Sequence, residues 1–292
     1  MLIFEAKSIV MKKILLFISL ALPLLASAQD ESSDERHGVR FGLNMGLYIP
    51  SRISANYYNG SGTYNDLNDP NGVRMYTIED RLRLTPQTIQ TITSYYNASG
   101  FHFNRDSYPA AMRYNSGYNI GLQIAFDLNN TSSFIFNVNA CKVKTVDRFT
   151  MVLEGTTAIQ NGQEDVRLFF IQGNEQRLNS QLGYRTGWEL ERNGLYFIEF
   201  GGSMLMTKVM GNQVTVANQQ YDLIIGANNP NQIVNYMPRA GTGFGYYFSS
   251  GFFIPFGKQS AEISFSVSHD KMKLNNTEFK GWNKMLMVGF SM

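Results

Sequence analysis

The chain has 292 residues, with 25 Lys and Arg against 23 Asp and Glu, three histidines and one cysteine. A formal charge of +2 at pH 7 leaves no basic footprint for nucleic acid, and a lone Cys141 cannot close an internal disulfide. The length admits one or two domains, and an unbroken strand rhythm selects one.

Taken in chain order, residues 1–28 read as a secretory leader. Lys12 and Lys13 follow Met11, an apolar run covers 14–25, and Ala26-Ser27-Ala28 precede Gln29. Cleavage is expected after Ala28, and Met11 is expected to be the true start because residues 1–10 fit no leader pattern. The run is shorter than the roughly 20 residues a spanning helix needs, and Pro23 interrupts it. Removing the leader takes away Lys7, Lys12, Lys13 and Glu5, so the mature chain balances 22 basic against 22 acidic residues. Residues 29–38 then form a short periplasmic segment.

Eight stretches of period-two sequence follow, at 39–49, 114–128, 133–149, 176–190, 195–209, 238–256, 261–274 and 282–292. Short joints at 129–132, 191–194 and 257–260 alternate with long ones at 50–113, 150–175, 210–237 and 275–281. A barrel inserted from one side gathers short turns on the inner side of the membrane and long loops on the outer. The expectation is an all-β fold over 39–292: an eight-stranded antiparallel up-and-down transmembrane β-barrel with long outer loops and short periplasmic turns. Asn193-Gly194 supplies the positive φ values of a tight hairpin. Ser249-Ser250-Gly251 leaves open whether the sixth stretch is one bulged strand or two.

Alternation alone does not say whether the apolar face meets lipid or an interior, since a soluble lipocalin-like barrel reads the same way. The polar face decides. In 114–128 the even positions run Tyr114, Ser116, Tyr118, Ile120, Leu122, Ile124, Phe126 and Leu128, against Asn115, Gly117, Asn119, Gly121, Gln123, Ala125 and Asp127. A solvated exterior would carry Lys and Glu, whereas Gly, Asn and Gln suit a narrow lumen. Phe126, Phe134, Trp188 and Tyr196 fall near the short-turn ends, as an interfacial girdle or as plain strand propensity. The inner positions carry Arg40, Asp127, Arg177, Arg185, Glu189, Glu199, Arg239, Glu262 and Asp270. Opposite signs there are expected to pair and plug the lumen, the alternative being an ion or proton path.

Within 50–113, Thr85 and Pro86 give an N-cap and N1 signal, predicting a short helix over 86–96 with Ile89, Ile92 and Tyr96 on one face. That face packs on the loop itself, or the loop binds a partner through Tyr57, Tyr58, Tyr95, Tyr96, Phe101 and Phe103. Loop residues are expected to add little to barrel stability.

Reactive chemistry is scarce. His37, His102 and His269 show no metal-ligand spacing, and Ser268-His269, adjacent on a strand, point to opposite faces and cannot act together as nucleophile and base. The glycines of Gly241-Thr242-Gly243-Phe244-Gly245 fall at every second position with no P-loop lysine, and 65–72 lacks the closing glutamate of a calcium loop. No catalytic residue, metal or cofactor is expected.

The leader ending Leu-Leu-Ala-Ser-Ala-Gln, the opening strand Arg40-Phe41-Gly42-Leu43-Asn44-Met45-Gly46-Leu47 and the closing strand Met285-Leu286-Met287-Val288-Gly289-Phe290-Ser291-Met292 resemble the small PorT-like outer-membrane barrels of Bacteroidota. The chain departs from that pattern in its long first loop and in ending on Met292 rather than an aromatic residue; Phe290 lies two positions earlier on the same face. The resemblance implies an outer-membrane address, outer-membrane lipid and, during insertion, the barrel-assembly machinery as partners, and for some members a role in protein secretion. The expected function is a non-enzymatic barrel with a plugged lumen that presents surface loops as a binding or structural scaffold. An accessory subunit of a secretion or assembly complex, docking through its outer loops or barrel wall, is the alternative; a membrane-embedded lipid-modifying enzyme comes third and a pore fourth.

Overall fold

The computed structural model describes residues 38–63, 73–156, 164–190, 194–226, 240–256, 259–274 and 277–292. The leader, residues 29–37 with His37, the acidic loop 65–72, the turn residues 191–193 and Arg239 lie outside them. Among the described residues twelve strands occur: β1 Gly38–Ile49, β2 Val73–Met75, β3 Gly100–His102, β4 Gly117–Asp127, β5 Ser132–Glu154, β6 Asp165–Glu189, β7 Leu195–Val216, β8 Gln219–Asp222, β9 Ile224–Gly226, β10 Ala240–Phe256, β11 Gln259–Leu274 and β12 Thr277–Ser291.

Eight of these close a ring of antiparallel pairs: β1, β4, β5, β6, β7, β10, β11 and β12, with β12 returning to β1. Stepping between paired residues from Gly241 through Thr207, Arg177, Cys141, Asn119, Gly46, Met287 and Ser264 leads back to β10 at Gly251, a stagger of ten residues. In an eight-stranded barrel the interior is just wide enough for side chains. The sheet exceeds the eight strands expected from sequence, because β3 pairs with the outer part of β5, β8 pairs with β7, and β2 with β9 forms a separate ribbon.

Strand length divides the molecule. A membrane strand takes about 9–11 residues. β1 and β4, with 12 and 11 residues, are near that length, whereas β5, β6 and β7 run for 23, 25 and 22 and stand well beyond their neighbours at the long-loop end. Within the long joints expected at 150–175 and 210–237, residues 150–154, 165–175 and 210–216 are therefore continuations of the barrel strands. Two physical changes hid this. The inward positions of β5 and β6 turn apolar beyond the membrane, at Phe149, Met151, Leu153, Phe169 and Ile171, so the polar-against-apolar split disappears. In β7 the register shifts opposite Asn174 and Glu175, and the extra residue moves the buried positions from Leu205, Thr207 and Val209 to Asn212, Val214 and Val216.

Three further expectations change. The joint at 275–281 is far shorter, since β11 runs to Leu274, β12 resumes at Thr277, and Leu274 pairs with Thr277. Tyr114 and Ser116 lie before β4, and the Tyr114 ring turns inward rather than to lipid. The sixth stretch is one strand, with uninterrupted register through Ser249, Ser250 and Gly251 against both β7 and β11.

The faces follow the alternation. Leu43, Met45, Leu47, Ile120, Leu122, Leu182, Phe200, Phe248, Phe265 and Leu286 are exposed on the outer wall, while Asn44, Asn119, Gln123, Asn137, Asn179, Gln181, Ser264 and Ser266 are buried inside. That is the inverse of a soluble protein and the arrangement a lipid-embedded barrel requires. The inner girdle is aromatic: Trp188 stacks on Tyr196 at 5.9 Å, Tyr196 meets Phe252 at 5.2 Å, and Phe134 meets Tyr184 at 5.6 Å. Glycine fits the narrow lumen; a Cβ on Gly183 would lie 2.2 Å from the Tyr247 hydroxyl.

Beyond the barrel mouth, the first loop folds into a cap. A 3-10 turn at Ile53–Tyr58 leads to β2, helix α1 Ile78–Leu82, helix α2 Pro86–Tyr96, β3 and a second 3-10 turn at Arg105–Ser107. Thr85 caps α2, its Oγ1 accepting from the Thr88 amide, and Asn97 ends it in the left-handed region at φ 50°. Ala55, Tyr57, Tyr58, Met75, Ile78, Leu82, Ile92, Phe101 and Met112 of the loop form one core with Phe149, Met151, Phe169, Ile171, Val214 and Val216 of the long strands. The expectation that this loop adds little to stability is corrected by that shared core: without it the upper inner face of β5–β7 would meet water.

Candidate functional site

The lumen is built in layers. At the short-turn end Arg40 pairs with Asp127, its Nη2 donating to Oδ1 at 2.8 Å, and lies 4.6 Å from the Phe253 ring centre. Next comes Arg185. It donates from Nε and Nη2 to Glu199 Oε2 at 3.0 and 2.8 Å, and from Nη1 and Nη2 to the two oxygens of Glu262 at 2.7 and 2.9 Å. Its guanidinium stacks 3.8 Å from the centre of Phe197, and the Tyr247 hydroxyl donates to the free Glu199 oxygen at 2.6 Å. Each carboxylate accepts two hydrogen bonds from the guanidinium and Glu199 a third from Tyr247, the geometry that makes buried charge tolerable.

Above this layer lie amides and hydroxyls. Asn44 donates to Asn137 at 3.3 Å, while polar atoms of Asn139, Asn179, Gln181 and Ser266 have no protein partner among the described residues. Buried groups of this kind are ordinarily met by internal water.

The upper layer ties the barrel to the loop. Arg177 donates to Glu175 at 2.8 Å, to the Tyr48 hydroxyl at 3.2 Å and to Ser54 Oγ of the first 3-10 turn at 3.1 Å, and the Tyr114 hydroxyl donates to Glu175. Asp270 accepts from Ser203 and Ser268 at 2.6 Å and from Asn283 at 2.7 Å, and Asn283 in turn accepts the Ser51 amide at 2.8 Å. The cap core then closes the mouth.

Of the charges assigned to the lumen by sequence, Arg40, Asp127, Arg177, Arg185, Glu199, Glu262 and Asp270 lie inside. Glu189 does not: it is exposed at the end of β6, past the rim where the lumen stops. Arg239 is outside the described residues. Glu175 was missed because the sequence reading began that strand at Gln176, although the two-residue spacing from Arg177 already put it on the same face. The alternation of β1 likewise put Tyr48 on the inner face with Arg40 and Asn44, whereas Ser54 and Tyr114 carried no such signal.

The six aromatic loop residues proposed as partner contacts are mostly structural. Tyr57, Tyr58 and Phe101 are buried at 1%, 0% and 3% exposure, and Phe103 and Tyr96 pack partly buried against the same core. Tyr95 alone is open, at 52%, with its hydroxyl accepting from Asn218 Nδ2 at 2.9 Å. Burial raises the Tyr58 hydroxyl well above its ordinary value, and burial with the nearby carboxylates of Glu79 and Asp80 raises Tyr108 to about 12. The apolar surface that remains open lies on the extension, at Val166, Leu168 and Phe170 along the outward face of β6.

No reactive constellation emerges. Ser268 Oγ faces the lumen and donates to Asp270, while His269 faces out, between Tyr246 and Trp282 at 5.4 and 4.8 Å. His102 pairs with Glu154 at 2.7 Å on the cap surface. Among the described residues no group of three or more His, Cys, Asp or Glu is placed to hold a metal.

No protein-family model matches the chain, and no curated protein matches it. Among solved structures it is similar to Ail, the attachment invasion locus protein of Yersinia pestis, with 10% identity, 88% of this chain and 100% of that one covered, and a TM-score of 0.30. It is also similar to the outer membrane protein OprG from Pseudomonas aeruginosa, with 7% identity, coverage of 88% and 97%, and a TM-score of 0.36. Likeness at these identities bears on the fold alone, and the closed antiparallel β-barrel is established by the strand pairing itself.

Proposed function

We propose that this chain is a non-enzymatic outer-membrane barrel with a plugged lumen, exported by a cleaved leader and serving as a rigid scaffold for a partner outside the cell. The observation that carries this reading is the extension: β5–β7 continue far past a membrane span and are packed, with the first loop, around a core of their own. A solute path does not need such a structure, whereas a recognition surface held at a fixed height does. Contact is assigned to Val166, Leu168, Phe170 and Tyr95 rather than to the buried loop aromatics. The separate placement of Ser268 and His269 supports a non-enzymatic role. The resemblance of 40–47 and 285–292 to PorT-like barrels supports a second reading, an accessory subunit of a secretion or assembly complex.

A photo-crosslinking residue at Leu168, compared with one at Leu122 on the lipid-facing wall, tests the assignment in native membranes. Protein adducts from position 168 and lipid adducts from position 122 are expected. Protein adducts from position 122 alone would favour docking through the wall. In planar bilayers the purified protein should show negligible conductance, and large steady currents would overturn the plug.

A further inference from the structure

All seven described lysines share one place. Lys142 and Lys144 on β5, Lys208 on β7, Lys271 and Lys273 on β11, and Lys280 and Lys284 on β12 are exposed on the outward face, toward the outer end of the wall. The buried arginines are spent inside the lumen. Among and beneath the lysines the wall is apolar and aromatic, with Tyr118, Phe244, Tyr246 and Trp282 exposed, so the belt lies where an outer-leaflet headgroup layer meets hydrocarbon.

Two sectors of this belt differ. On β11 and β12, Glu278 accepts from Lys271 at 2.8 Å and Lys280 at 3.3 Å, so part of the charge is answered within the protein. On β5–β7 nothing answers it. Lys142 and Lys208 are both in register with Gln176, one on each side, which places them about 10 Å apart at the usual strand spacing. Lys144 follows on the same face, and none of the three has an ion-pair partner among the described residues. Below them, Tyr118, Ile120, Ala140, Leu178, Met206 and Thr242 line an open depression of about 780 Å³ on the outer wall. Three like charges held together at a membrane interface repel one another unless an anion sits among them.

We infer that the β5–β7 sector binds the phosphate group of an anionic lipid of the outer leaflet. The headgroup sits between Lys142 and Lys208, with Gln176 beneath it, and an acyl chain lies in the apolar depression. Long lysine side chains reach such a group from either side while their methylene stems cover the wall. The inference rests on the membrane placement proposed above, and the choice of probe keeps the two apart.

The test is native mass spectrometry of the full chain in mild detergent, titrated with dioleoyl phosphatidic acid and, separately, dioleoyl phosphatidylcholine. Phosphatidic acid should bind at least about tenfold more tightly. K142Q/K208Q should lose that preference, K142R/K208R should keep it, and K271Q/K273Q in the other sector should leave it intact. Heat-modifiable migration checks that each variant is folded. Equal binding of the two lipids, or an unchanged preference in folded K142Q/K208Q, overturns the inference while leaving the membrane reading standing. Binding of neither lipid likewise overturns the inference. A dimer in place of lipid adducts assigns this wall to a second copy of the chain and also overturns it.

Discussion

The two halves of the long strands are made of the same backbone ladder but held by opposite chemistry. In the membrane band the apolar side chains face out, to Leu122 and Leu182, and the interior is Asn, Gln, Ser and paired charge. Above it the same inward positions carry Phe149, Met151, Phe169 and Val214, covered by the first loop as in an ordinary soluble core. The solvent, not the strand, sets which face is apolar. In the band every backbone group is paired within the closed ring; in the cap, stability depends on the loop staying packed.

That contrast can be broken from either side, most severely in the lumen. Arg185→Met leaves Glu199 and Glu262 buried with no cation and should cost about 3–5 kcal/mol, read as a shift in urea unfolding of the folded protein in micelles. Neutralising the whole set, R185M/E199Q/E262Q, should recover most of that loss. If the single and triple variants unfold alike, the layer does not act as one coupled ionic unit.

On the lipid face Leu122→Arg should cost about 2–4 kcal/mol if it lies near the midplane, and slow the appearance of the heat-modifiable form. Normal assembly of this variant would mean the faces are assigned backwards. In the cap, Ile92→Val should cost about 0.5–1.5 kcal/mol and raise protease cleavage within 78–103 about two- to tenfold, with heat-modifiable migration unchanged. Loss of the folded barrel would show that cap and band are one cooperative unit.

The smallest effect is alkaline. Tyr58 and Tyr108 have folded-state pKa values raised above 10.0, Tyr108 to about 12, so the fold favours their neutral form. A raised pKa means the stabilisation is complete below pH 10 and is lost as pH rises through about 12. Protease sensitivity of the first loop should climb over that interval before the barrel responds. A flat profile to pH 12 would show that these hydroxyls ionise without opening the cap.

How far the sequence was legible follows the same division. Residues 39–49 and 117–127 announced strand, face and lumen together, because a two-sided environment prints a clean alternation on the chain. The extension was read as loop because its inner face becomes apolar and the bulge at Met210 reverses the alternation in β7. The aromatics at 57, 58 and 101 looked like contacts because an aromatic residue in a loop carries no local sign of what will cover it.

The sequence by itself determined a closed antiparallel barrel, its lipid-facing wall, its charged lumen and the helix at Pro86–Tyr96, since each of these is written in residue period or in a local cap. Tertiary structure alone decided the rest: that Arg185 serves two carboxylates from different strands, that Arg177 reaches Ser54 of the loop, and that the loop closes the mouth. The Arg185–Glu262 and Arg177–Ser54 contacts join residues 77 and 123 positions apart, and only the closed ring brings them within a hydrogen bond of each other.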